Sequence, residues 1–304
     1  MGGLPSMMPR LRRGSARAGR IDRLGWRAGT CIDACGLRVG VRTNAPALLD
    51  RLEPHLPPGW RACASPLVDQ IFSVWVGPGD ARRPTRVYAG RSRRVRTANL
   101  ARALAVLESE IRQSVAAGAA RRTFVHAGVV GWRGRAIVIP GRSRSGKTTL
   151  VAELVKAGAL YLSDEFAVLD GRGRVHPFAK PLSIRGASGC DRHAQSRCAE
   201  ELGGSCATGP LPVGLVVLAE HSPGATWRPE RLTVGQAVIE MLAHTVPARL
   251  RPEASLSSLE RAAARATVLK GARGEARELA GHLLRSVEEM ESVSRRGAGE
   301  GGTR

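Results

Sequence analysis

Residues 139–150 read IPGRSRSGKTTL and have the spacing of a phosphate-binding loop: Gly141, four further residues, and then Gly146, Lys147 and Thr148. The apolar stretch AIVIP (136–140) precedes the loop and predicts a buried strand. The stretch KTTLVAELVKAG (147–158) follows it and predicts a helix that ends at Gly158. Because such a loop binds phosphate where it joins a buried strand to a helix, this context favours a nucleotide site in an α/β fold.

The residue types in the loop are those that a bound triphosphate requires. Gly141 and Gly146 allow the backbone to curl, so that successive N–H groups point at phosphate oxygens. The helix N-terminus adds partial positive charge, Lys147 reaches the β- and γ-phosphates, and the Thr148 hydroxyl is a ligand for Mg²⁺. We therefore predict a nucleotide-binding segment made of Gly141, Arg142, Ser143, Arg144, Ser145, Gly146, Lys147, Thr148 and Thr149.

Lysine is scarce in this chain, which makes the lysine of the loop informative. Lysine and arginine together number 47, and only four of them are lysines. A lysine ammonium is a compact point charge that arginine does not replace in such a loop. Lys147 therefore favours a nucleotide site over the alternative, a structural turn that happens to contain Gly-Lys-Thr.

An acidic pair follows one helix after the loop. The stretch YLSDEF (161–166) contains Asp164 and Glu165 directly after the apolar residues ALYL (159–162). Adjacent residues of an extended strand point to opposite faces, so both carboxylates face the phosphates only if the strand ends there. We expect such an end. The alternative is an ordinary acidic turn.

These motifs, taken in order, resemble the catalytic domain of the HPr kinase/phosphorylase family. The order is VHAGVV (125–130), the turn GWRGRAIVIPG (131–141), the loop with its helix, and the acidic pair. The resemblance covers about residues 124–170, with weaker similarity to about residue 220. It implies an α/β fold with a P-loop kinase-like domain of the HPr kinase/PEP carboxykinase type, preceded by a small α/β module.

The resemblance also implies roles for individual residues. Asp164 corresponds to the general base that deprotonates a serine hydroxyl, and Glu165 to a Mg²⁺ ligand beside Thr148. His126 corresponds to the histidine that lies beside the base, although a strand histidine with a purely structural role is the alternative. Together with Lys147, these residues form the expected catalytic set. The later stretch PFAKPLSIR (177–185) would direct Lys180 or Arg185 toward phosphate.

Three departures from the family pattern bear on the substrate. Glu165 stands where the family usually has a second Asp, and Arg144 stands where it often has a glycine. The signature that the family uses for phosphorolysis is not recognisable around residues 186–212. We therefore expect an ATP- and Mg²⁺-dependent kinase that phosphorylates a hydroxyl of an unidentified protein, peptide or small molecule. The alternatives are a non-catalytic ATP-binding regulatory protein and a nucleic-acid-linked ATPase.

Four segments are expected along the chain. Residues 1–28 are basic and expected to be disordered, and residues 29–96 form a small α/β module with strands at 37–43, 70–77 and 85–90 and a helix at 46–56. The P-loop domain is expected at 97–290. It includes an amphipathic helix at 97–119 capped by Thr97 or Asn99, and later helices at 233–246, 255–266 and 274–290. Residues 291–304 are expected to be a disordered tail.

Composition constrains the partners. The net charge is +21, but aromatic residues make up only 4% of the chain, so we expect solvated arginine-rich faces at 9–20 and 82–96 and no specific nucleic-acid site. No apolar run is long enough to span a membrane and no secretory signal is present, which favours a cytoplasmic protein with reduced cysteines. The spacing of Cys190, His193, Cys198 and Cys206 matches no common zinc module. A homo-oligomer is left open.

Overall fold

The computed structural model describes residues 4, 6–12, 20–78, 82–142, 145–184 and 195–299. The chain divides into two compact units, Met1–Arg121 and Arg122–Arg304. Both contain strands and helices, so the protein is a mixed α/β structure. The long helix predicted at 97–119 belongs to the first unit, whereas the sequence prediction placed the start of the P-loop domain before it.

The first unit contains, within the described residues, the strands β1 Arg10–Leu11, β2 Ala28–Ala34, β3 Leu37–Thr43, β4 Arg61–Ala62, β5 Leu67–Val68, β6 Gln70–Trp75, β7 Thr85–Ala89 and β8 Ser92–Thr97. Six of them form a mixed sheet in the order β4-β2-β3-β6-β7-β8. Strands β3 and β6 run parallel, and the other neighbours in the sheet are antiparallel. The two short strands β1 and β5 pair parallel with each other.

The helix predicted at 46–56 is wrong. This segment forms two 3₁₀ helices instead, Pro46–Arg51 and Glu53–His55, and a third 3₁₀ helix covers Arg20–Arg23. Pro54 lies where an α-helix would need a backbone N–H, and its ring would collide with the preceding turn. The amphipathic pattern is still used, because Leu48, Leu49 and Leu52 are buried.

The long helix of the first unit, α1 Leu100–Gly118, begins as its sequence predicts. The Asn99 side chain accepts a hydrogen bond from the Arg102 N–H at 3.0 Å and caps the helix, so the cap is Asn99 and not Thr97. The predicted apolar face is buried at Leu104, Leu107 and Ile111. Residues three and four apart share one helix face, which explains why this helix could be predicted.

The second unit contains the loop. Its strands are β9 Thr123–Trp132, β10 Arg135–Pro140, β11 Leu160–Ser163, β12 Phe166–Leu169, β13 Arg174–His176, β14 Leu182–Ile184, β15 Gln195–Arg197, β16 Leu211–His221, β17 Glu230–Arg231 and β18 Thr267–Arg273. Its helices are α2 Lys147–Lys156, α3 Val234–Leu242, α4 Pro252–Ala263 and α5 Ala276–Gly299, with a 3₁₀ helix at Glu200–Leu202.

The centre of this unit is a sheet in which β10, β16 and β18 run parallel. Antiparallel β9 pairs with β10 along one edge and with β11 along the other, so the local order is β11-β9-β10-β16-β18. Alternating residues of β10 and β16 face opposite layers. Ile137, Ile139 and Val217 pack with α2 and α5, whereas Val138 and Val216 pack with α3 and α4. Helices therefore cover both faces of the sheet, as in doubly wound α/β structures.

The two ends of the chain carry further predictions. Residues 1–3, 5 and 13–19 of the predicted basic tail lie outside the described residues, and so do 300–304 of the predicted C-terminal tail. Helix α5 continues to Gly299, which differs from the expected end of helical structure at residue 290. No helix in the described parts of the chain is both long and apolar enough to cross a membrane.

Candidate functional site

The predicted loop connects β10 to α2, and its backbone depends on glycine at Gly146. This residue has φ +80°, a left-handed conformation that L side chains disfavour, and it immediately precedes α2. At the other end of the loop, the Gly141 N–H donates to the His126 carbonyl oxygen at 3.1 Å. Two of the predicted loop residues, Ser143 and Arg144, lie outside the described residues. Arg142 and Thr149 are exposed, and Ser145 is half-buried.

The Lys147 side chain hydrogen-bonds to the backbone of its own loop. Its Nζ donates to the carbonyl oxygen of Gly141 at 2.7 Å and to that of Arg142, and it lies 3.4 Å from the Ser145 Oγ. Burial lowers the pKa of Lys147 to about 8, although the negative charge of Asp164 acts in the opposite direction. The ammonium is thus held close to the backbone of its own loop.

The Thr148 hydroxyl donates a hydrogen bond to Asp164 Oδ2 at 3.2 Å. The other carboxylate oxygen, Oδ1, forms an ion pair with Lys180 Nζ at 2.9 Å. The Tyr161 hydroxyl lies 3.1 Å from the same oxygen and 2.9 Å from the Lys180 carbonyl oxygen, either of which can accept its hydrogen. The Asp164 side chain is only 3% exposed, so these contacts fix it beside the first turn of α2.

The acidic pair lies where β11 ends, as expected from the sequence. β11 stops at Ser163, whose Oγ accepts hydrogen bonds from the N–H groups of Glu165 and Phe166 at 3.1 and 3.0 Å. This turn directs both carboxylates toward one cation, because Lys180 Nζ is also 3.9 Å from Glu165 Oε2. Of the two residues proposed for phosphate contact in 177–185, Lys180 therefore lies at the acidic pair, and Arg185 lies outside the described residues.

His126 and His244 lie near Lys147. The His126 N–H donates to the His244 carbonyl oxygen at 2.8 Å, and the His126 ring stacks at a tilt against Phe166, with centroids 4.8 Å apart. Burial lowers the pKa of His126, and the charges of Lys147 and His244 lower it further. The pKa of His244 is lowered by burial and by the charges of Lys147 and Arg142, against a smaller opposite effect of Glu240. Both rings are therefore neutral near pH 7.

Arg273, the last residue of β18, donates hydrogen bonds to the loop. The sequence alone did not indicate this contact. The Arg273 side chain is buried, and its Nη2 donates to the carbonyl oxygens of Ser145 at 3.4 Å and Gly146 at 3.3 Å. Its Nη1 donates to the Gly274 carbonyl oxygen at 3.0 Å. Nothing in the local sequence distinguishes this residue among the many arginines, so its role follows only from the fold.

A metal ion at this site would need phosphate oxygens or water as ligands in addition to protein side chains. Among the residues that the structure describes, no group of three or more His, Cys, Asp or Glu side chains is arranged to hold a metal. Mg²⁺ is commonly held by one or two carboxylates together with phosphate oxygens and water. Thr148, Asp164 and Glu165 fit that pattern, since they offer a hydroxyl and two carboxylates next to the loop.

Of the cysteine series, Cys206 lies next to the site, because it forms a β-bridge with Tyr161. Cys190 and His193 are outside the described residues, and the described Cys198 and Cys206 are reduced thiols. Burial raises the pKa of the Cys206 thiol, and the charge of Glu200 raises it further. A thiol with a raised pKa is a weaker metal ligand and a weaker nucleophile.

Comparisons with known proteins add little to this geometry. No family model matches the chain, and no curated protein matches it. Among solved structures, it is similar to the Hpr(Ser) kinase/phosphatase from Coxiella burnetii, with 11% sequence identity and a TM-score of 0.34 over 60% of this chain and 99% of that chain. A similarity of this size is weak and says nothing about the chemistry of the chain.

Proposed function

We propose that this protein is an ATP- and Mg²⁺-dependent phosphotransferase, related to HPr serine kinase, that transfers the γ-phosphoryl group to a hydroxyl of a protein, peptide or small molecule. The observation that carries the proposal is the 3.2 Å hydrogen bond between the Thr148 hydroxyl and Asp164. It joins the residue that follows the loop lysine to a buried carboxylate, and these are the two groups that phosphoryl transfer needs next to the phosphates.

The loop residues would bind and orient the nucleotide. The N-terminus of α2 would attract phosphate oxygens, and Lys147 would exchange its loop carbonyl contacts for contacts with phosphate. Thr148 and Glu165 would hold Mg²⁺. When bound, ATP supplies the phosphoryl group, and the metal ion neutralises charge on it. Arg273 keeps the loop in shape by bonding two of its carbonyl oxygens.

Asp164 would accept the proton of the attacking hydroxyl. A hydroxyl is a poor nucleophile, and a correctly placed base contributes roughly 10²- to 10⁴-fold to such a reaction. Lys180 and Tyr161 fix the position of the carboxylate. His126 is neutral and close to Lys147, so we assign it a positioning role on the loop side of the base.

One observation favours a second function, a non-catalytic ATP-binding regulator. Both oxygens of Asp164 already have partners, because Lys180 and Tyr161 contact Oδ1 and Thr148 contacts Oδ2. A carboxylate held in this way can be purely structural. Under this alternative the loop binds ATP without transfer, and residues 30–95 recognise a partner. In either case we place the protein in the cytoplasm.

Phosphoryl transfer to water separates the two functions without knowledge of the acceptor. We would measure the release of labelled phosphate from ATP carrying the label in its γ-phosphoryl group, using the intact chain and Asp164→Asn under saturating MgATP. The kinase proposal predicts slow release by the intact chain and release at least about 100-fold slower by Asp164→Asn. Equal rates for the two proteins, with ATP bound by both, would support the regulatory alternative.

A further inference from the structure

An open cavity of about 550 Å³ adjoins the loop inside the second unit. Its walls are the loop residues 140–142 and 145–146, the end of β16 at 218–221, Glu240 and His244 at the end of α3, and Lys270 of β18. This volume falls in the range of roughly 300–1,000 Å³ that is typical of small-molecule sites. Asp164 does not line this cavity, so the cavity is distinct from the place of the proposed proton transfer.

The cavity lies at a topological switch point. β10 and β16 are parallel neighbours, with Val138 opposite Val216. The chain leaves β10 through α2 on one face of the sheet and leaves β16 toward α3 and α4 on the other face. Parallel neighbours whose connections separate in this way open a crevice at their carboxyl ends, and ligands bind there in open α/β sheets.

The cavity and the acidic pair lie on opposite sides of the loop strand. Asp164 follows β11, which is separated from β10 by β9, whereas the cavity is bounded by β16 and β18 on the other side of β10. A nucleotide that lies across the loop with its γ-phosphate near Thr148 and Asp164 therefore directs its nucleoside toward β16 and β18.

The cavity wall carries two carboxylates, Glu220 and Glu240, together with the cations Lys270 and Arg142. Glu240 Oε1 accepts from Lys270 Nζ at 2.6 Å. Carboxylates accept strong hydrogen bonds from hydroxyl groups, so these two side chains suit the hydroxyls of a sugar.

From this arrangement, and resting on the proposed function, we propose that the cavity binds the nucleoside of the nucleotide whose phosphates occupy the loop, with sugar hydroxyls donating to Glu240 and Glu220. The ion pair of Glu240 with Lys270 keeps its carboxylate at the cavity wall. Affinity for ATP then has two separate sources, the loop for the triphosphate and these carboxylates for the nucleoside.

The test compares MgATP with magnesium tripolyphosphate, which has the phosphates and lacks the nucleoside. Calorimetric affinities would be measured for the intact chain, for the double variant Glu220→Ala/Glu240→Ala, and for Glu260→Ala as a control. Glu260 is an exposed carboxylate of α4 that does not line the cavity. In the double variant, Glu220 is exposed and Glu240 is partly exposed. Thermal unfolding midpoints would check that all three proteins are folded.

We expect the intact chain to bind MgATP more tightly than magnesium tripolyphosphate. The double variant should lose roughly 10- to 100-fold in affinity for MgATP and keep its affinity for tripolyphosphate, the loss expected when hydrogen bonds to charged groups are removed. Because the variant is more positive, a simple charge effect would strengthen both affinities instead. Glu260→Ala should match the intact chain.

Three results would overturn the inference. Equal affinity of the intact chain for the two ligands would mean that the nucleoside makes no contact. An unchanged affinity of the double variant for MgATP would place the nucleoside elsewhere while leaving the proposed function intact. Binding of neither ligand by the intact chain would remove the inference and the proposed function together.

Discussion

Lys147 carries its charge in a partly buried position against carbonyl oxygens of its own loop. The loss of water around the ammonium lowers its pKa from the ordinary value of a lysine to about 8, and the negative charge of Asp164 does not fully offset this effect. A bound phosphate would place further negative charge next to the ammonium and raise that pKa again. The loop lysine is therefore a group whose protonation should be linked to ligand binding.

This linkage predicts proton uptake when MgATP binds at pH 8.5. Without ligand, Lys147 is mostly neutral at that pH, and the phosphates favour its charged form, so affinity should fall as pH rises through about 8. The histidines of the site have lowered pKa values and stay neutral at pH 8.5, so they do not contribute. Calorimetric titrations in two buffers with different ionisation enthalpies measure the uptake. Identical binding enthalpies in the two buffers would contradict the role given to Lys147.

Three of the four lysines of the chain lie at or beside the loop. Lys147 is in the loop, Lys180 contacts Asp164, and Lys270 contacts Glu240 at the cavity, whereas Lys156 pairs with Glu153 on α2. The scarcity of lysine could therefore have identified Lys270 from the sequence alone. No such signal marks Arg273 or His244, since they reach the loop from elements distant in the sequence.

At the scale of elements, the junction of the loop with α2 depends on Gly146. A side chain there would be strained by φ +80°, and its Cβ would collide with Nη2 of Arg273. Gly224 has a similar φ of +74° but no neighbour within 4 Å of an added Cβ, so it isolates the conformational cost from the collision.

We predict that Gly224→Ala loses about 1–2 kcal/mol of unfolding free energy, the cost of a left-handed non-glycine residue. Gly146→Ala should lose more, because its methyl group also collides with Arg273. Only Gly146→Ala should also lose ATP affinity, because its methyl group displaces Arg273 from the loop carbonyls. Urea unfolding and ATP titration of both variants check this prediction. If Gly146→Ala binds ATP as tightly as Gly224→Ala does, the loop does not need the observed geometry.

The elements around the loop could be predicted because each has a clear local pattern. β10 is continuously apolar, α2 follows the loop motif, and α1 has an apolar face with a cap at Asn99. β18 could not be predicted in the same way. Its residues TVLKGAR are only partly apolar, and it is a strand because it pairs with β16 on one side and β17 on the other. The contribution of β18 to the cavity wall could not be predicted from the sequence for the same reason.

For the acidic pair, the end of the strand could be predicted from the sequence, but the contacts of the side chains could be predicted only in part. The sequence indicated that the strand ends before Asp164, and β11 does end at Ser163. The partners of Asp164 could be foreseen only in part. Thr148 is next to the loop lysine, but the Tyr161 hydroxyl and the Lys180 ammonium contact the carboxylate only because the fold brings them together. Assignment of base and metal-ligand roles to the pair stays a prediction.

At the scale of the whole molecule, the second unit has apolar clusters of its own. The two clusters around its central sheet are made of described residues between Val125 and Val287. The loop, the acidic pair, Arg273 and the cavity also lie in the second unit. The described residues of these clusters and of the candidate site thus belong to one compact unit.

We predict that residues 122–304 expressed alone fold cooperatively and bind MgATP within about threefold of the affinity of the full chain, because a unit with its own core can fold independently. Thermal unfolding and calorimetry of this fragment provide the check. An unfolded fragment, or a folded one that does not bind, would show that the first unit contributes to the site.

The most direct test of the central claim is the binding of MgATP by calorimetry to the intact chain, Lys147→Ala and Asp164→Asn. We expect that the intact chain binds, that Lys147→Ala loses about 10- to 100-fold in affinity, and that Asp164→Asn binds nearly as well as the intact chain. This result would assign the loop to the nucleotide and leave Asp164 for proton transfer. If none of the three proteins binds ATP, the segment GRSRSGKTTL is a structural turn and the kinase proposal is wrong.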